Sequence, residues 1–172
     1  MNVALRGKKL VTLGIKPTRP ATEYGYIESE KMLGTEGINK IFSVKRFVEK
    51  PNEAKAAQYL ATGQFHWNSG MFIWTAKTIL DEIARNIPAL YEGISRLRRS
   101  VDPPEMVNFF EGAPSISIDF GVMERSNNVV MIPCDFGWSD VGGWKSLKEL
   151  ADTGRIELKD EMRKIMEDQI KS

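Results

Sequence analysis

Strand-like and helix-like segments alternate along this chain, and that alternation limits it to an α/β fold. Leu10-Val-Thr-Leu-Gly-Ile15 is β-rich and stops at Lys16-Pro-Thr-Arg-Pro20, whose prolines impose an extended turn. Tyr24-Gly-Tyr-Ile27 reads as a short second strand, and Ile38 to Glu49 as a longer one closed by Pro51. Asn52 is placed to cap a helix reaching Thr62, with alanines in its interior. Trp67 to Thr75 is aromatic and β-branched and predicts a buried strand. Helices are predicted over 76–85, where Ile79, Leu80 and Ile83 share a face, and over 87–98, with Pro88 in the first turn. Two further helices are expected, one opened by Asp102-Pro-Pro-Glu105 and ending at Phe110, the other running from Ser117 to Arg125. Asn127 to Pro133 is the last predicted strand. The tail from Leu158 is a charged helix whose stripe of Leu158, Met162, Ile165, Met166 and Ile170 is expected to pack on the parent domain, with docking on a partner as the alternative. The expected division is a domain at 1–155 and this helix at 156–172.

Composition narrows the class without naming an activity. The 24 basic and 23 acidic residues nearly cancel, so no global field favours nucleic acid or an anionic membrane. No apolar run approaches the roughly 20 residues that span a bilayer. The N-terminus has no apolar core of a signal peptide. The expected compartment is the cytoplasm. One cysteine, Cys134, and one histidine, His66, exclude an internal disulfide and any multi-cysteine or multi-histidine metal site.

Four constellations could carry chemistry. In Tyr24-Gly25-Tyr26-Ile27 a glycine between aromatics permits a ligand to approach the backbone, although strand glycines also mark bulges. Glu49 and Lys50 end a strand where Pro51 turns the chain; an ammonium there suits a phosphate and a carboxylate suits sugar hydroxyls. An exposed surface pair is the plain alternative. Asn68, in Trp67-Asn-Ser-Gly-Met71, is a polar amide leading into an apolar strand and needs partners if buried. Asp140 sits in Phe136-Gly-Trp-Ser-Asp-Val-Gly-Gly-Trp144, a glycine- and tryptophan-rich turn after an apolar run. There it could be a metal ligand or a contact to a phosphorylated substrate. Alternatively, Asp140 or Ser139 caps a helix starting near Gly143.

Taken in order and at their spacings, these motifs resemble a known family. Val11-Thr-Leu-Gly-Ile-Lys-Pro-Thr-Arg-Pro20, Tyr24-Gly-Tyr-Ile27, Arg46-Phe-Val-Glu-Lys-Pro51, Trp67-Asn-Ser-Gly-Met-Phe72, Ser117-Ile-Asp-Phe-Gly-Val-Met-Glu124 and Gly137-Trp-Ser-Asp-Val-Gly142 are similar to the bacterial mannose-1-phosphate guanylyltransferases (GDP-mannose pyrophosphorylases). These belong to the sugar nucleotidyltransferase superfamily. The resemblance implies the C-terminal portion of a nucleotide-diphospho-sugar transferase, a Rossmann-like mixed sheet flanked by helices. It implies a reaction in which mannose 1-phosphate attacks the α-phosphorus of GTP, giving GDP-mannose and pyrophosphate with Mg2+ as cofactor. By that likeness Asp140 is a metal-binding carboxylate and Lys50 contacts the sugar phosphate. Glu49 and Asn68 hold mannose hydroxyls, and Tyr24 and Gly25 lie at the sugar. Trp138 and Trp144 are walls of the site.

The chain also departs from the family. The glycine-rich nucleotide-binding signature, Gly-x-Gly-x-Arg-Leu-x-Pro followed by a lysine, has no counterpart here, and neither does a second, upstream metal-binding aspartate. The expectation is that the half cradling guanine and triphosphate is absent. The chain would then be inactive alone, contributing a sugar-phosphate half-site, or would be a non-catalytic binding module derived from the family. A sheet cut through its middle would also leave an open strand edge, and from that follows an expected homo-oligomer or a missing N-terminal partner half.

Overall fold

The computed structural model describes residues 2–97 and 103–171. Two compact units emerge, Met1–Asp135 and Phe136–Ser172, and each is described by itself.

The first unit is built on five strands: β1 (Leu10–Ile15), β2 (Tyr26–Glu36), β3 (Asn39–Val48), β4 (Phe65–Ile73) and β5 (Val129–Cys134). Their order is β1-β4-β2-β3-β5, with β5 returning to β1, so the mixed sheet closes on itself. Only the β1–β5 pairing is parallel. Among the described residues the open edge expected from the sequence is therefore absent, because each of the five strands has two neighbours. Closure is narrow, however. β3 meets β5 only at Phe42↔Met131 and Ser43↔Val130, and β2 meets β4 only from Tyr26 to Glu28.

The helices of this unit are α1 (Asn2–Gly7), α2 (Glu53–Thr62), α3 (Ala76–Asn86), α4 (Pro88–Leu97) and α5 (Pro103–Gly112), and α1, α3 and α4 cover the apolar runs of β1 and β5. Leu10 and Val129 pack with Ile83, Ile87, Val122 and Met123, with α4 residues Leu90, Tyr91 and Ile94 alongside. On the other face Val11 and Val130 pack with Ala4 of α1. The short α1 had no counterpart in the sequence reading. Burying these side chains is the main favourable term, about 1.5–3 kcal/mol for each large aliphatic removed from water.

Local signals explain most element boundaries. The Asn52 side chain accepts a hydrogen bond from the Lys55 amide at 3.0 Å, and Gly63 ends α2 in the left-handed conformation at φ 67°. Thr75 caps α3 in the same manner. β2 runs nine residues past its expected end at Ile27, since Glu28 to Glu36 stay paired with β3 although mostly solvent-facing. β4 begins at Phe65, two residues early, and ends at Ile73. The expected α-helix over 117–125 is instead a π-helical turn, Asp119–Met123. Expected helix positions 98 and 102 lie outside the described residues.

Glu28 shows how the sheet tolerates a buried charge. It is 5% exposed, and Lys45 Nζ and Arg46 Nε reach its two oxygens at 2.8 and 2.5 Å. Burial by itself would raise this carboxyl, but those two donors outweigh it and hold the group below its ordinary range.

The second unit holds α6 (Trp144–Asp152) and α7 (Asp160–Lys171), which pack together. Neither Asp140 nor Ser139 caps α6. The N-cap is Gly143, fully extended at φ −178° and without a side-chain hydrogen bond, so the helix starts too far along for either residue to reach it. Of the α7 stripe, Met166 is buried while Met162, Ile165 and Ile170 are exposed.

Candidate active site

Strand register assembles the site in the first unit. Tyr26, the first residue of β2, pairs with Val48, the last of β3, and on its other side with Trp67 of β4. One step outward in each direction puts Gly25 beside Glu49 and Asn68. The Asn68 amide donates to the Gly25 carbonyl at 2.8 Å, carrying the ladder one rung past the strand end. Contact is close enough that a Cβ on Gly25 would lie 2.6 Å from Glu49 Oε2 and 3.5 Å from Asn68 Cβ. Glycine is needed here for space, and the space belongs to the Glu49 carboxylate.

Lys50 follows directly. Its ammonium lies 3.4 Å from Glu49 Oε1 and is 64% exposed in its side chain, so the pair contributes little to stability and the cation stays reachable from solvent. The Lys50 backbone is at φ 41°, a left-handed conformation for a residue with a side chain that also precedes proline. Such conformations cost on the order of 1–3 kcal/mol and persist where the surroundings impose them.

Tyr24 lies beside this strand end. Its ring meets Trp67 edge-on at 5.0 Å, and the Arg19 guanidinium stands 5.5 Å from the Tyr24 ring and 5.9 Å from that of Trp67. The loop from Lys16 is held down by the buried Tyr26 hydroxyl, which donates to the Ala21 carbonyl at 2.9 Å.

Two acids absent from the sequence-based set join these residues. Asn68 Nδ2 donates to Asp119 Oδ1 at 2.9 Å. Glu124 is exposed, yet partial desolvation and repulsion from Glu49 and Asp119 raise its carboxyl above its ordinary range, with Arg125 opposing. Both acids belong to the Ser117–Glu124 motif, and their five-residue separation matches the π turn: the Glu124 amide donates to the Asp119 carbonyl at 2.9 Å. That spacing is the signal by which they could have been found.

The structure thus brings Gly25, Glu49, Lys50 and Asn68 together, with Tyr24 alongside. Asp140 lies in the second unit, exposed, with its carboxylate beside Gly142. Within that unit the Arg155 guanidinium donates to the Gly137 carbonyl, holding the left-handed turn that precedes Trp138.

A sequence model of the "Nucleotidyl transferase" family matches residues 2–155. The chain belongs to the nucleotidyl transferase family. It is 41% identical over 150 residues to mannose-1-phosphate guanylyltransferase of Escherichia coli K12, covering 83% of this chain and 31% of that protein. With mannose-1-phosphate guanylyltransferase RfbM of Salmonella typhimurium it shares 36% identity over 167 residues, 94% of this chain and 33% of the relative. Among solved structures, one titled mannose-1-phosphate geranyltransferase, from Thermus thermophilus, superposes with a TM-score of 0.72 at 37% identity, over 82% of this chain and 39% of that one. The chain therefore spans about a third of the length of the curated relatives it matches, and its mixed α/β fold is the one this solved structure shares.

Two consequences of this geometry are measurable. Lys50→Gly should raise stability by about 1 kcal/mol, because glycine adopts φ 41° without strain. Lys50→Ala keeps the strained backbone and should not raise it; chemical denaturation at constant m-value compares them. Glu124, with its raised folded pKa, favours the folded state while protonated and takes stability away as pH rises from its unfolded value through its folded one. Glu124→Gln removes that loss, so the difference in Tm, variant minus wild type, should be more positive at pH 7 than at pH 4.

Proposed function

We propose that this chain carries the sugar-phosphate-binding residues of a mannose-1-phosphate guanylyltransferase. The reaction joins GTP and mannose 1-phosphate to give GDP-mannose and pyrophosphate. The observation that supports this most is the convergence of Gly25, Glu49, Lys50 and Asn68 at one end of three neighbouring strands, in a chain 41% identical to a protein of that name.

Each residue has chemistry suited to one part of the ligand. The exposed Lys50 ammonium neutralises the phosphate of mannose 1-phosphate. Glu49 accepts hydrogen bonds from sugar hydroxyls, and its carboxylate steadies the neighbouring Lys50 ammonium. Asn68 offers both a donor and an acceptor to neighbouring hydroxyls. Without a Cβ, Gly25 leaves the Glu49 carboxylate the space from which it reaches the sugar. Tyr24 and Trp67 supply a rigid aromatic wall behind that glycine.

Mg2+ prefers oxygen ligands and keeps several waters, and the Asp140 carboxylate is an oxygen donor of the right hardness. Among the described residues no group of three or more His, Cys, Asp or Glu could hold a metal ion. Asp140 would therefore serve as one protein ligand, with water and phosphate oxygens completing the shell. When bound, the ion neutralises charge developing on the phosphates. Phosphoryl chemistry of this kind rests on positioning and charge more than on a protein nucleophile. By itself this chain is proposed to bind mannose 1-phosphate without turning it over. Among the described residues no helix is long and apolar enough to cross a membrane.

Calorimetric titration of the purified chain with mannose 1-phosphate tests the assignment. Lys50→Ala should weaken binding about tenfold or more, the loss of one charge-assisted contact. Asp140→Asn should leave binding in the absence of Mg2+ within about twofold of wild type. Equal losses from both changes would overturn the roles given to them.

A further inference from the structure

The Asn68 amide is held at both ends. Its Oδ1 accepts the Gly70 N–H at 3.1 Å, and its Nδ2 donates to Asp119 Oδ1 at 2.9 Å. Turning the amide over would set its NH2 against the Gly70 N–H and its oxygen against the Asp119 carboxylate, and both contacts are repulsive. The Gly70 contact is local, two residues away. Asp119 comes from 51 residues further along and supplies the charged partner.

The element carrying Asp119 is firmly mounted. Gly121, Val122 and Met123 are buried, and a Cβ on Gly121 would lie 2.5 Å from Ile87 Cδ1, so the turn is pressed directly onto the junction of α3 and α4. A π-helical turn shifts the residues after it relative to an α-helix, and such turns are frequent at functional sites. Here the turn starts at Asp119 itself.

We propose that Asp119 is a positioning residue for the sugar site. It fixes the Asn68 amide with one N–H and one oxygen lone pair presented in a set sense to the hydroxyls of a bound sugar phosphate. This rests on the reading of Asn68 as a sugar-binding residue. Asp119 need not touch the ligand, and its contribution passes entirely through Asn68. Pre-orienting an amide removes the choice between two rotamers before the ligand arrives, so the gain appears as affinity.

The coupling is tested by a double-mutant cycle read by calorimetry with mannose 1-phosphate. Asp119→Ala should weaken binding about three- to tenfold. Asp119→Asn keeps an oxygen able to accept from Asn68 Nδ2, but its amide carries no charge and can also turn over and donate, so it should restore only part of that loss. In the Asn68→Ala background, Asp119→Ala should cost nothing further. Circular dichroism confirms that each variant folds. If Asp119→Ala does not fold, Asp119→Ser, whose shorter side chain stops short of Asn68, takes its place.

Additive losses in the cycle, or no rescue by Asp119→Asn, would overturn the positioning role while leaving the sugar-phosphate reading intact. No binding by the wild-type chain would overturn both.

Discussion

Everything at the candidate site depends on the pairing of one residue, Tyr26. It sits opposite Val48 on one side and Trp67 on the other, is fully buried, and its hydroxyl ties down the loop before it through Ala21. Because side chains alternate along a strand, a slip of one residue would turn Gly25, Glu49 or Asn68 to the opposite face. The surrounding aromatics resist that slip. Tyr59 stacks on Phe65 at 3.9 Å and meets Tyr26 at 5.5 Å, locking α2 and β4 to the start of β2. The site is thus a by-product of core packing at one strand end, which is why its residues are so far apart in sequence and so close in space.

The same economy explains the acids. Glu49, Asp119 and Glu124 interact electrostatically, which costs energy. Lys50 partly offsets this through its contact with Glu49, as does the Asn68 amide bound to Asp119. A strained backbone at Lys50 and a raised carboxyl at Glu124 in the same small region are departures from local stability of the kind that function tolerates and packing alone does not require.

Some of this was legible in the residues. Leu10–Ile15, the Asn52 cap and the apolar face of α3 follow directly from propensity and periodicity, and the structure has them where expected. The far half of β2 was not legible, because Ser29 to Glu36 has no apolar alternation; pairing with β3 makes it a strand. Gly25 and Asn68 stood out as a glycine and an amide in otherwise apolar strands, whereas Glu49 and Lys50 read as an ordinary charged pair at a strand end until the resemblance to the guanylyltransferases gave them a role. Asp119 and Glu124 did not, since an acid near a helix start is ordinary and the partner that gives Asp119 meaning is Asn68, in another strand. The expected cap by Asp140 failed for a local reason: Gly143 stays extended and the helix begins only at Trp144.

The most direct test of the central claim is a heteronuclear NMR titration of the labelled chain with mannose 1-phosphate. The account predicts that backbone amides of Gly25, Glu49, Lys50 and Asn68, together with the Asn68 side-chain NH2, shift in a common saturable curve, while mannose without its phosphate leaves Lys50 unmoved. Shifts confined to residues away from the start of β2 and the end of β3, or none at all, would contradict it.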